Sequence, residues 1–186
     1  MKSVTIIWCD WGDQDTALCQ KMWQDLPSSV SVNLVHITEW NHTVERVMEM
    51  AIQAEGDTLL FCGHGTPHGL LVPKNFGEYV LHQYNVKDIK AKTVLGVTCY
   101  AKEFAENVGL HGLFSSMFIS NIDEATTIGI DNTSSSEIEQ SNTSFYFTIN
   151  KILSGLLSLD EALKEIQKLG WKDAVSSFNA AGFEIL

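Results

Sequence analysis

The stretch Asp57-Thr58-Leu59-Leu60-Phe61-Cys62-Gly63-His64-Gly65 is an apolar run that stops at a histidine between two glycines. A second run, Thr93-Val94-Leu95-Gly96-Val97-Thr98, stops in the same way at Cys99. Short apolar runs are typical of strands buried in a parallel sheet. If the two strands are neighbours, His64 and Cys99 meet at the carboxyl edge of that sheet, where open α/β sheets bind their ligands.

The chain before these runs alternates strands and helices. We predict strands over 4–8 and 30–37, a first helix capped by Asp13 or Asp15 and running to about Leu26, and a second capped by Thr43. This order predicts a mainly parallel sheet with right-handed crossovers.

Later segments are predicted from periodicity and capping signals. A helix begins near Ala101 and ends at Gly109, a long helix follows the polar loop 131–136, and a capping box at Ser158 starts the next. Short strands or extended elements are expected over 70–72, 78–83 and 116–120.

Composition narrows the class of protein. A chain of 186 residues with 45% hydrophobic residues favours a single domain spanning 1–186. The net charge of −11 makes a nucleic-acid partner unexpected. No apolar stretch has the length of a membrane span, and we interpret the first residues as a strand rather than a secretion signal. Four sparse cysteines favour a reducing cytoplasm. The sequence does not set the oligomeric state.

A thiol and an imidazole at one strand edge form a possible nucleophile and base. Cys99 precedes a predicted helix start, where amide donors and the helix dipole favour thiolate over thiol. The N–H groups of Gly65 and Cys99 are candidates for an oxyanion hole. The alternative is a buried structural cysteine, which is the expectation for Cys9, Cys19 and Cys62.

The residues around the two runs resemble those of caspase-like cysteine peptidases (clan CD), with the closest likeness to bacterial CHAT domains. Residues 59–65 with 69–73 resemble the histidine block, and residues 93–99 the nucleophile strand. Further matches follow in the order expected for CHAT domains: Phe145-Tyr146, Gly155, Ser158, Glu161-Ala162-Leu163 and Gln167. Thr98 departs from the pattern, since the family usually has alanine or another small residue there.

The resemblance implies a three-layer α/β/α sandwich and hydrolysis of peptide bonds. His64 would act as general base and acid, Cys99 would attack the carbonyl carbon, and the amides of Gly65 and Cys99 would hold the oxyanion. The partner would be a protein or peptide substrate, and neither a cofactor nor a metal is needed. Two alternatives stay open: an inactive caspase-like module that binds a protein, and a thiol-dependent hydrolase of small molecules.

Other polar residues are weaker candidates. Asp123 and Glu124 follow a predicted strand and would select a basic residue beside the cleaved bond, or are solvated loop acids. His68 would line the cleft or lie in a solvated turn, and Asp13 is a cleft acid or a helix cap. Cys62, His64 and His68 lie close in sequence, but zinc is not expected because compact pairs such as Cys-x-x-Cys are absent.

Overall fold

Nine strands and seven helices make up the protein, according to a computed structural model that describes residues 1–186. The strands are β1 Lys2–Cys9, β2 Val30–Ile37, β3 Thr58–Cys62, β4 Gly65–Thr66, β5 Gly69–Val72, β6 Asn75–His82, β7 Thr93–Val97, β8 Gly112–Phe114 and β9 Glu184–Ile185. The helices are α1 Gln14–Leu18, α2 His42–Gln53, α3 Ala101–Val108, α4 Ile122–Thr127, α5 Ser135–Leu153, α6 Leu159–Leu169 and α7 Ala174–Ala181.

Six strands form one central sheet in the order β2-β1-β3-β7-β8-β9. All neighbours are parallel except β9, which runs antiparallel to β8. The predicted mainly parallel sheet is therefore confirmed. β3 and β7 are direct neighbours, with Cys62 opposite Val97, so the segments that follow both strands leave the sheet at one edge.

Helices cover both faces of the sheet. Alternate side chains of the strands point to opposite faces, so each strand contributes to two separate apolar cores. On one face Leu60 and Leu95 pack with residues of α5, α6 and α7. On the other face Phe61 packs with residues of α2 and α3. The sheet is the middle of three layers.

A small antiparallel sheet, β4-β5-β6, follows the histidine. The short strand expected over 70–72 is confirmed as β5, and the element over 78–83 belongs to β6. Gly69 makes this hairpin possible, because a Cβ there would lie 1.9 Å from the Leu81 carbonyl oxygen. The hairpin lies beside α3 and the carboxyl edge of the main sheet.

Helix boundaries follow the capping side chains. The capping box at Ser158 is confirmed, and Ser134 forms another at the start of α5. The cap of α2 is Asn41 rather than Thr43, because the Asn41 side chain accepts the N–H groups of Thr43 and Val44.

The predicted first helix is shorter than expected. Asp13 is its cap, but α1 ends at Leu18 and continues only as a 3-10 turn over Cys19–Met22. The indole N–H of Trp8 donates to the Thr16 carbonyl at 2.9 Å, so that oxygen is shared with a group from the sheet. This bond ties α1 to the end of β1.

The strand predicted over 116–120 is wrong. The strand after α3 is β8, and the segment 116–120 has left the sheet. Its backbone is held instead by side-chain amides: the Ile119 N–H donates to Asn179, and Asn142 donates to the Ile119 carbonyl. The place beside β8 is taken by β9, a strand that the sequence analysis did not predict.

No helix of the structure combines the length and the apolar character needed to cross a bilayer.

The packing around Gly96 in β7 leaves no room for a side chain. A Cβ at this position would lie 2.5 Å from Phe61 Cζ and 2.8 Å from Phe114 Cδ1, and both rings are fully buried. We expect Gly96→Ala to lower the free energy of unfolding by about 1–3 kcal/mol through overpacking. Urea denaturation measures this loss.

The matched control is Gly56→Ala, whose Cβ would have no neighbour closer than 3.5 Å. It should stay within about 0.5 kcal/mol of the wild type. Equal effects of the two substitutions would contradict the packing described for β7.

Candidate active site

His64 and Cys99 line the same cavity at the carboxyl edge of the sheet. The cavity has a volume of about 30 Å³, enough for a water molecule but not for a substrate side chain. Its other walls come from α1 and the 3-10 turn after it, the ends of β3 and β7, the segment 118–120 and α5. These residues are Asp15, Thr16, Cys19, Gly63, Val97, Thr98, Phe118, Ser120 and Tyr146. The predicted meeting of the imidazole and the thiol at one edge is present in the structure.

Gly65 brings the histidine segment into contact with the cysteine segment. A Cβ on Gly65 would lie 2.5 Å from Thr98 Oγ1 and 2.7 Å from the Cys99 carbonyl oxygen. Only glycine fits so close an approach of two backbones. Gly63 has φ +138°, and a Cβ there would lie 2.7 Å from the Cys9 carbonyl oxygen. Both glycines flanking His64 are therefore required by local geometry.

The backbone turns sharply directly after Cys99. Tyr100 has φ +63° and ψ +20°, which is the left-handed region and is unusual for a bulky residue. Its N–H donates to the Ser116 carbonyl at 3.2 Å, and α3 begins at the next residue. Strained residues of this kind concentrate at functional sites, where the surrounding structure holds them. The turn places Cys99 at the cavity.

The Cys99 thiol is protonated in this arrangement. Burial raises the pKa of Cys99 to about 11, and the negative charges of Glu124, Asp15 and Glu103 act in the same direction. Its Sγ lies 3.5 Å from the Phe118 carbonyl oxygen and can donate to it. The predicted stabilisation of the thiolate is therefore wrong for the resting site, because burial and nearby acids raise the pKa of Cys99.

The His64 side chain is bound to an acid instead of to the thiol. Its Nε2 lies 2.9 Å from Asp13 Oδ2. Burial by itself would raise the pKa of Asp13, but hydrogen bonds from His64 and Thr16 outweigh it and hold that pKa below its usual value. No hydrogen bond joins His64 to Cys99.

The backbone N–H groups of Cys99 and Gly65 are the two candidates for binding an oxyanion. The Cys99 N–H makes no hydrogen bond. Leu71 donates to the His64 carbonyl at 2.9 Å, which makes Gly65 and Leu70 a non-hydrogen-bonded pair of the β4–β5 ladder. The Gly65 N–H therefore points away from β5. These are the two donors that the sequence suggested for an oxyanion hole.

Thr98 adds a polar group that the sequence alone did not single out as functional. Its residue is 6% exposed, and Oγ1 is buried without any hydrogen-bond partner. Buried hydroxyls are nearly always paired, so an unpaired one in a cavity wall is unusual.

The weaker candidates lie in different places. Asp123 and Glu124 are not in a loop after a strand; they occupy the first turn of α4, which Asn121 caps. Glu124 is near the site, since it accepts the Ser120 N–H at 2.7 Å. His68 faces a separate cavity of about 720 Å³ with Tyr79 and other residues. No group of three or more His, Cys, Asp or Glu side chains is arranged to hold a metal ion.

The site residues that the sequence did not assign are Asp15, Thr16 and Thr98, while Asp13 was recognised only as an acid of the cleft or a helix cap. Asp13 and Thr16 do carry a sequence signal, because an acid three residues before a threonine at a helix start is a capping pattern. Nothing in that pattern shows that the free oxygen of Asp13 faces a histidine 51 positions away.

Comparison with models of known protein families, with curated proteins and with solved structures finds no match.

The raised pKa of Cys99 predicts its reactivity. With a pKa of about 11, the alkylation rate of Cys99 by iodoacetamide should rise about tenfold per pH unit from neutral pH to about pH 10, because only the thiolate reacts. Mass spectrometry of the Cys99 peptide over time measures the rate. A rate that levels off near neutral pH would show that the thiolate is already formed.

The unpaired hydroxyl of Thr98 predicts an unusual effect on stability. Thr98→Val removes no hydrogen bond, so the free energy of unfolding should stay unchanged or rise by up to about 1 kcal/mol. Thr16→Val is the control, because Thr16 Oγ1 donates to Asp13 at 2.7 Å, and it should lose about 1–3 kcal/mol. Equal losses in urea denaturation would mean that the Thr98 hydroxyl has a partner.

Proposed function

We propose that this chain is a cysteine endopeptidase of the caspase-like type, acting through His64 and Cys99. The observation that carries the proposal is that the imidazole, the thiol and an unpaired amide of Cys99 border one cavity at the carboxyl edge of a parallel sheet. The three layers of the fold and its mainly parallel sheet agree with the α/β/α sandwich that the resemblance implies.

In the proposed mechanism His64 takes the proton of Cys99 as the sulfur attacks the peptide carbonyl. The N–H groups of Gly65 and Cys99 donate to the resulting oxyanion. When the carbon–nitrogen bond breaks, His64 gives the proton to the leaving amine. A water molecule then hydrolyses the thioester, with His64 again as the base, and Cys99 is regenerated.

The protonated resting thiol fits this sequence of proton transfers. A thiol with a pKa of about 11 is protonated at neutral pH, so it must lose its proton during the attack. Loss of the proton at that moment requires a base in the same cavity, and His64 is the imidazole that lines it. The substrate would be an extended peptide lying across the cavity, because the space inside is too small for a side chain.

Composition supports the proposed partner and location. The net charge of −11 argues against nucleic acid, and a protein or peptide substrate remains the proposed partner. All four cysteines are free thiols, which supports a reducing cytoplasm as the place of action.

A second candidate function is a catalytically inactive caspase-like module that binds a protein. It is favoured by the same raised pKa of Cys99 and by the missing hydrogen bond between His64 and Cys99. The third alternative, hydrolysis of a small molecule, expects an enclosed pocket around the thiol, and the cavity of about 30 Å³ gives it little room.

The test is cleavage of a mixture of peptides of known sequence, read by mass spectrometry as new termini. We expect cleavage by the wild type, and a loss of at least about 100-fold in His64→Ala and Cys99→Ala, since a general base typically contributes 100- to 10,000-fold.

The matched control is His111→Ala. His111 also precedes a glycine, but it lies before β8 at the amino end of that strand, on the opposite edge of the sheet. This variant should cleave like the wild type. The assay is run under reducing conditions, and it is repeated with fractions of cell extract added as a source of binding partners. If the folded wild type cleaves no peptide in either case, the result supports the inactive module instead.

A further inference from the structure

We infer that Asp13 is a positioning residue that holds the His64 ring with its proton on Nε2 and its free nitrogen available to Cys99. This inference rests on the proposed function, because a positioned base matters only if Cys99 is a nucleophile. It adds a third member to the site, one that touches neither the substrate nor the thiol.

The Asp13 carboxylate is itself held rigidly. Its Oδ1 accepts the Thr16 N–H at 2.8 Å and the Thr16 hydroxyl at 2.7 Å. Thr16 is 2% exposed, and its Oγ1 in turn accepts the Trp11 N–H at 3.0 Å. One oxygen of the carboxylate is therefore fixed by the start of α1, which leaves Oδ2 to bind another group.

That other group is His64. Asp13 Oδ2 lies 2.9 Å from His64 Nε2. An ionised carboxylate can only accept a hydrogen bond, so Nε2 must carry the proton. In the neutral imidazole the lone pair is then on Nδ1, which makes no hydrogen bond within the protein. Nδ1 is the nitrogen left to take the thiol proton.

Two further features support this role. Hydrogen bonds from His64 and Thr16 hold the pKa of Asp13 below its usual value, so the acid remains ionised and stabilises the imidazolium that forms after proton uptake. The Trp11 ring meets the His64 ring edge-on, with centroids 5.0 Å apart, and restricts its rotation.

Capping of the helix alone does not explain Asp13. Asp173 caps α7 with both carboxylate oxygens: Oδ1 accepts the Ser176 N–H at 2.7 Å and Oδ2 accepts the Ser176 hydroxyl at 2.8 Å. No histidine binds Asp173. Both caps bind the N–H and the hydroxyl of the residue three positions on, but Asp13 uses Oδ1 for both bonds and its Oδ2 binds the imidazole. Asp173→Ser is therefore a matched control for Asp13→Ser.

The experiment measures which nitrogen of His64 carries the proton, by ¹⁵N NMR of the full-length protein with labelled histidine. The His64 signals are assigned by their absence in His64→Gln. This readout needs neither a substrate nor activity. The variants are Asp13→Ser, Asp13→Asn and Asp173→Ser.

Each variant has its own expected result. Serine caps a helix well but is too short to reach His64, so Asp13→Ser should give a mixture of the two tautomers. Asparagine keeps its oxygen on Thr16 and turns its amide N–H₂ toward Nε2, so Asp13→Asn should shift the proton to Nδ1. Asp173→Ser should match the wild type, with the proton on Nε2.

Activity on a cleaved peptide supplies the second readout. We expect kcat to fall roughly 10- to 100-fold in Asp13→Ser and Asp13→Asn with little change in KM, as when a histidine loses the group that orients it. Asp173→Ser should keep the wild-type kcat even if its stability is lower.

The outcomes separate this inference from the proposed function. An unchanged tautomer in both Asp13 variants would overturn the role of Asp13, whether or not the protein cleaves peptides. A tautomer that shifts as expected, in a protein whose Cys99→Ala variant cleaves as well as the wild type, would support the orientation of His64 and contradict the peptidase.

Discussion

The site depends on one close approach, between Gly65 and the carbonyl group of Cys99. The parallel pairing of β3 with β7 brings the two strand ends side by side, but pairing alone leaves the following loops free to diverge. The approach at Gly65 is so close that a Cβ would lie 2.7 Å from the Cys99 oxygen. It fixes the distance between the histidine segment and the cysteine segment, and every proposed role of His64, Gly65 and Cys99 requires that distance.

The energetics of the thiol decide how such a site can work. A rise of the Cys99 pKa from 9.0 to about 11 makes the thiolate less favourable by about 3 kcal/mol than the thiolate of a cysteine with the ordinary pKa. Each donor of an oxyanion hole typically contributes about 3–4 kcal/mol in the transition state. Two such donors, acting at the moment of attack, contribute more than this added cost of about 3 kcal/mol. The arrangement therefore favours a nucleophile that forms only when a substrate carbonyl is present.

Much of this site could be predicted from local patterns. The runs ending at His64 and Cys99 are continuous apolar segments, and the glycines around His64 mark a close backbone approach, so the sequence places both residues correctly. The raised pKa of Cys99 could not be predicted in this way, because it depends on burial and on Glu124 and Asp15, which come from distant segments. The helix start after Cys99 predicts a lowered pKa instead, because this signal describes only the chain next to the cysteine.

The segment 116–120 was mispredicted for a related reason. Its three consecutive apolar residues, 117–119, are consistent with a strand, but two buried asparagines bind its backbone instead. Asn179 accepts the Ile119 N–H at 2.7 Å, and both Asn142 and Asn179 donate to the Ile119 carbonyl. Asn179 also donates to Asn142 at 3.0 Å, so these contacts form one closed network.

That network has a consequence for the thiol. Buried amides stabilise a unique arrangement only when their polar groups are satisfied, and here the two asparagines and the Ile119 backbone satisfy one another. They anchor Ile119 to α5 and α7. Ile119 is the residue next to Phe118, whose carbonyl faces Cys99. The cavity wall that Phe118 contributes is thus held by helices rather than by the sheet. A nucleophile between two independently fixed walls keeps its position when a substrate enters, which is the preorganisation that an oxyanion hole requires.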